Sequence, residues 1–291
     1  MDGDRMVSLS RRTAMMATGT GIGVGIALAA GPVQAQHQVT TNAEGLTAGP
    51  IWVSTADGRP MPAYRAMPAT GSGFGTVLVV QEIFGVHAYI ADICRRFAKA
   101  GYYAIAPELY FRQGDPRYYT DIPTMIKDIV AKVPDEQVMK DLDASVAFVK
   151  GEGKADAAKL GITGFCWGGR IVWLYDAYSP AVKAGVAWYG RVVGDATPMT
   201  PKHAIDIAKD LHGPVLGLYG GADAGIPNDT VDKMRAALTA GGTPAATKSE
   251  IITYPDTPHA FNADYRPSFR KEASEDGWKR LLAWFKANGV T

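Results

Sequence analysis

The stretch Leu160-Gly161-Ile162-Thr163-Gly164-Phe165-Cys166-Trp167-Gly168-Gly169, running on into Ile171-Val172-Trp173-Leu174-Tyr175, decides the fold. Its first four residues are an apolar run that reads as a strand, its last five open a helical pattern, and one thiol stands at the join. A strand turning this sharply into a helix forces the central residue into a strained conformation, and glycines two positions to either side let the two backbones pass closely. The Cys166 side chain then stands clear with the first helix N–H groups beneath it, which is the geometry of a nucleophile elbow. The helix dipole and its unpaired amides favour an anion there and can lower a cysteine pKa below its free value of about 8.5. The same six central residues also suit a glycine-rich turn around a small buried thiol, because free cysteines are often simply buried. The rest of the chain has to choose.

Outward from the elbow, strands and helices alternate. Upstream, 51–54 and 63–67 flank Asp57-Gly58-Arg59-Pro60 and read as an antiparallel hairpin. Strand 76–80, helix 87–100, strand 102–106 ended by Pro107, a long connection, and helix 135–150 lead to the elbow. Downstream come strand 184–189, strand 215–219, helix 228–240, strand 249–254 and a final amphipathic helix over 268–287. Buried strands joined by helices imply an α/β fold, a mostly parallel doubly wound sheet with helices on both faces. Its site belongs in the loops at the carboxyl ends of the strands.

The N-terminus is a separate matter. Ser10-Arg11-Arg12-Thr13 precedes a Gly- and Ala-rich apolar stretch and then Gly31-Pro32-Val33-Gln34-Ala35. This pattern reads as a twin-arginine signal over 1–35, handled by the twin-arginine export machinery and removed after Ala35. The stretch is short and glycine-diluted for a stable membrane span, so no lasting membrane anchoring is expected. A polar, loose lead over 36–49 and a single domain over 50–291 follow, with the mature protein expected in the periplasm or secreted. A formal net charge of +1 argues against a nucleic-acid partner, and no Cys/His cluster with metal spacing is present. There are two cysteines, Cys94 and Cys166. An export setting invites a disulfide, but Cys94 sits inside a helical pattern, and pairing would consume the elbow thiol.

Two further residues fall just after strands in the order that nucleophilic catalysis uses in α/β-hydrolases, nucleophile then acid then histidine: Asp223 in Gly220-Gly221-Ala222-Asp223 and His259 in Pro255-Asp256-Thr257-Pro258-His259. His259 can take the thiol proton and later activate water, and Asp223 can orient its imidazole. Asp256 is the rival acid but lies too close in sequence to His259 to reach its far nitrogen, and His87 is the rival base, read instead as a helix-start residue. Backbone N–H groups of Trp167, after the nucleophile, and Ile83, in the loop after the first core strand, are the expected oxyanion donors.

That loop, Gln81-Glu82-Ile83-Phe84-Gly85, together with Ala106-Pro107-Glu108-Leu109-Tyr110-Phe111-Arg112-Gln113, Gly164 to Gly169, Gly220 to Asp223 and His259-Ala260-Phe261, resembles the dienelactone hydrolase family of the α/β-hydrolase superfamily. The resemblance runs from about Ile51 to the C-terminus. It implies a carboxylic ester hydrolase that cleaves a lactone or small ester through a cysteine acyl-enzyme, with a Cys166-His259-Asp223 triad and no metal or cofactor. It implies that Glu82 contacts the resting cysteine and shifts on substrate binding, as a switch or second acid/base, and that Arg112 holds a substrate carboxylate. One departure stands out: the family's second carboxylate-binding arginine, four residues after the histidine, is Ala263 here, and Arg266 is the nearest replacement. The alternatives are a silent protein that binds a small carboxylate on the same fold and a thiol redox protein cycling at Cys166.

Overall fold

A computed structural model of the chain describes residues 41–291, so residues 1–40, including the signal reading, lie outside the described part. Eight strands form one sheet in the order β1-β2-β4-β3-β5-β6-β7-β8. The hairpin strands β1 (Leu46–Ser54) and β2 (Pro60–Pro68) pair antiparallel, and β2 also meets β4 (Tyr103–Pro107) antiparallel. From β4 onward, through β3 (Phe74–Val80), β5 (Ala155–Phe165), β6 (Val182–Trp188), β7 (Val215–Gly220) and β8 (Glu250–Tyr254), every pairing is parallel. The parallel strands are joined by helices α1 (Ala88–Lys99), α2 (Ile122–Asp128), α3 (Asp135–Glu152), α4 (Trp167–Tyr178), α5 (Asn228–Gly241) and α6 (Pro244–Lys248), and α7 (Lys271–Ala287) closes the chain.

Register shows which helices cover which face. Gly161 of β5 lies opposite Ala184, and the next pair is Ile162 with Gly185, so Gly161 and Gly185 point to opposite faces. The space above Gly161 is filled by Phe285 of α7, and that above Gly185 by Val172 of α4. Phe97 of α1 packs on the α7 rings of Trp278, at 4.8 Å, and Phe285, so α1 and α7 form one layer. On the other side Trp173 of α4 donates its indole N–H to the Tyr219 hydroxyl of β7 at 3.2 Å. Strands covered on both faces have no polar side, which is why β6 from Ala184 onward and β7 read as apolar runs.

The hairpin starts earlier than the sequence pattern suggested. Leu46 to Gly49, assigned above to a loose lead, already pair with Pro68 to Arg65. Gly49 and Pro50 interrupt the alternation that identifies a strand, yet the backbone pairing continues through them. Thr41, further upstream, is tied to Asp92 of α1.

Candidate active site

Cys166 sits between β5 and α4 with φ 56° and ψ −112°, and its side chain is buried. The left-handed φ is what the elbow reading required of a non-glycine residue. It is held because a Cβ at Gly164 would strike the Gly168 carbonyl, and one at Gly168 would lie 2.5 Å from the Gln81 carbonyl oxygen. The Cys166 N–H donates to the Trp188 carbonyl at 3.0 Å, which ties the elbow to the end of β6. The other non-glycine residues with positive φ are Tyr189, after β6, and Asp256 and Ala260, on either side of His259. Among the described residues, backbone strain in non-glycine positions is thus confined to the loops around this thiol, at about 1–3 kcal/mol each.

The loops after β7 and β8 bring Asp223 and His259 together. The His259 Nδ1 and the Asp223 Oδ2 are 2.6 Å apart, both side chains buried, and the other carboxylate oxygen accepts the Gly225 N–H at 2.9 Å. A carboxylate on Nδ1 fixes which nitrogen faces away, so Nε2 is left for the nucleophile. That nitrogen is buried and makes no hydrogen bond in this conformation. Burial by itself would strip the proton from the imidazole, but the charge of Cys166 and the hydrogen bond and charge of Asp223 outweigh it and push the His259 pKa up to about 10. The surroundings of the ring thus favour its imidazolium form. Asp256 is exposed on the turn before His259 and takes no part. Cys94 is a separate, buried free thiol whose pKa burial pushes far up, so no disulfide consumes Cys166.

Glu82, buried at the end of β3, is not where the resemblance put its resting state. Its Oε2 accepts the Tyr265 hydroxyl at 2.9 Å and faces His87 Nε2 at 3.4 Å and Arg266 Nη2 at 3.5 Å. Burial would raise its pKa, but the Arg266 charge first, then His87 and Tyr265, bring it down to about 2. The carboxylate is thus committed to a buried ionic cluster. Arg266 does reach inward, as Ala263 required of it, and its guanidinium lies over the Phe84 ring at 5.0 Å, but it turns to Glu82. His87 is the N-terminal boundary residue of α1, as expected, and in addition it faces Glu82, a role that its position in the sequence did not signal.

Arg112 corrects the sequence reading more sharply. Its guanidinium donates to Asp57 in the hairpin turn at 2.7 Å and to Asp141 on α3 at 2.6 Å, and it stacks on Phe111. The fork expected to hold a substrate carboxylate already holds two of the protein's own, because β4 ends beside both the hairpin and α3. Ile83, in the loop after β3, is buried, and Trp167 is the first residue of α4, edge-on to Tyr110 at 4.9 Å between ring centroids. Sequence reasoning missed Tyr189, whose ring packs against His259 at 5.1 Å, and Tyr265; the signal for Tyr189 was its place directly after a core strand. Among the described residues, no group of three or more His, Cys, Asp or Glu side chains is arranged to hold a metal ion.

A nucleophile elbow, an Asp-oriented histidine and strand-end loops on a mostly parallel eight-stranded sheet define an α/β-hydrolase fold. The chain belongs to the dienelactone hydrolase family, whose model matches residues 61–289, and it is a hydrolase. A protein of Methylorubrum extorquens named "Putative carboxymethylenebutenolidase" is 58% identical over 286 residues, covering 97% of this chain and 94% of that one. One of the same name from Escherichia coli K12 is 54% identical over 252 residues, covering 86% and 91%. A crystal structure titled as a putative dienelactone hydrolase from Klebsiella pneumoniae shares 55% identity and a TM-score of 0.79, covering 83% of this chain and 98% of that one.

Proposed function

We propose that this hydrolase opens a lactone or small carboxylic ester through a thioester on Cys166. The observation that carries the reading is the 2.6 Å contact of His259 with Asp223, which holds an imidazolium ready beside the thiolate of a strained elbow. Sγ attacks the acyl carbon, the S–C bond forms, and the carbonyl electrons move to oxygen, which rests on the Ile83 and Trp167 N–H groups. Collapse breaks the ring or ester C–O bond, and the leaving oxygen takes the proton from His259. The neutral imidazole then takes a proton from water as it attacks the thioester, the C–S bond breaks, and the thiolate and imidazolium return. Every proton in this cycle passes through His259, so the cycle closes without a cofactor. The relatives' name, carboxymethylenebutenolidase, supports a butenolide lactone as the substrate type. Glu82 is held off the thiol in this conformation, so its switching role requires the Tyr265-His87-Arg266 cluster to release it.

The Ser10-Arg11-Arg12-Thr13 pattern supports export, placing the hydrolase outside the cytoplasm after cleavage. Replacing both arginines by lysine and fractionating cells tests this: retention of the variant in the cytoplasm supports export, and unchanged distribution refutes it. The catalytic reading is tested with p-nitrophenyl butyrate and a butenolide. A stoichiometric burst of p-nitrophenol with the acyl group found on Cys166 is expected. Wild-type turnover by Cys166→Ala would sink the mechanism.

A further inference from the structure

With Arg112 and Arg266 committed to the protein's own carboxylates, a different arginine stands by the thiol. The segment after β6, Tyr189-Gly190-Arg191, crosses the first turn of α4: a Cβ at Gly190 would strike the backbone of Gly169 and Arg170, and one at Gly169 would lie 2.5 Å from the Trp188 carbonyl oxygen. Tyr189 on one side of this crossing touches His259, and Arg191 follows on the other. Arg191 is half-buried, and among the described residues its guanidinium has no ion pair and no hydrogen bond. Arg170, its neighbour on α4, is by contrast locked in a two-pronged pair with Asp135 at 2.7 Å. A half-buried guanidinium with five donors and no acceptor is an open place for an anion. Burial works against its charge, and the support it has comes from Cys166 first and Asp195 second, so its surroundings respond to the charge on the sulfur. Once the sulfur is acylated that charge is gone, and a carboxylate brought in by the substrate takes its place beside Arg191.

We propose that Arg191 receives the anionic arm of the substrate, so that the enzyme selects lactones and esters whose carboxylate reaches the β6 side of the thiol. This rests on Cys166 being the nucleophile, and the test separates the two ideas. Wild type, Arg191→Gln and Arg191→Lys are compared on mono-p-nitrophenyl glutarate, which is anionic, and p-nitrophenyl butyrate, which is neutral. The same three proteins are then alkylated at Cys166 with iodoacetate and with iodoacetamide, which needs no turnover. Losing one charge-assisted hydrogen bond, the anionic-to-neutral ratio of kcat/KM is expected to fall about tenfold or more in Arg191→Gln, through KM for the glutarate ester, with Arg191→Lys in between. The iodoacetate-to-iodoacetamide rate ratio should fall in the same order. Unchanged ratios, or parallel losses on both members of each pair, overturn the proposal. If wild type turns over neither ester, the acyl-enzyme reading fails while the alkylation ratio still judges Arg191.

Discussion

The charge on Cys166 is the first of the influences that raise His259, so removing the sulfur should return the imidazole toward neutrality. The folded-state value of about 10 stands against an ordinary 6.5 and is reached in spite of burial. That difference corresponds to about 5 kcal/mol in favour of the imidazolium. In Cys166→Ala, burial still opposes the charge and only Asp223 supports it. The His259 titration midpoint should therefore drop by about 2 pH units, the size expected for loss of an adjacent opposite charge. The assay is an NMR titration of ring-labelled histidine from pH 5 to 11, with His259→Gln used to assign the signal among the five histidines of the chain. S-methylation of wild type should imitate the alanine variant. Equal midpoints in wild type and Cys166→Ala would refute the claim that thiol and imidazole share a charge.

Asp223→Asn keeps the shape of the loop but removes the charge that orients Nδ1, and kcat on p-nitrophenyl butyrate should fall about 10²- to 10⁴-fold with KM little changed. Glu82→Gln leaves the buried Arg266 without its carboxylate and should cost about 3 kcal/mol in urea unfolding at pH 7. Because the folded pKa of Glu82 lies at about 2, below its ordinary 4.5, that stabilisation is complete above pH 4.5 and disappears as pH falls through 2, so the gap between wild type and variant should narrow in acid. Asp176, buried on α4 and accepting the His212 and Gly213 N–H groups, has its pKa raised by burial to about 8, so it destabilises the fold progressively from pH 4 up to about 8; Asp176→Asn should be the more stable protein by thermal melting at pH 8.5, by a margin that shrinks towards pH 4. Arg112→Ala strands the buried Asp141 and should lower stability by about 3 kcal/mol, and it should leave the preference between anionic and neutral esters as it was.

The elbow, the strand alternation and the order of Cys166, Asp223 and His259 were determined by the sequence alone, for a local reason. A strand-to-helix turn with glycines two residues to either side of the thiol admits few backbone paths, and a fully covered strand has to be apolar along its whole length. The helix α1, the strand β3 and the final helix could be placed to within a few residues because their periodicity reflects burial on one known face or on both. The start of β1 was hidden, since backbone pairing tolerates the glycine and the proline that side-chain alternation does not. The fate of the charged residues was decided only by tertiary structure. A sequence shows that Arg112, Arg266 and Glu82 are charged, but not which opposite charges the packing will bring within reach. Asp57 and Asp141 are 55 and 29 residues from Arg112, and Arg266 is 184 from Glu82. Coulomb attraction at contact distance depends on that folded proximity and not on position along the chain. The reaction could therefore be read from local motifs, whereas the residues that hold the substrate depended on which arginines the fold left without a partner.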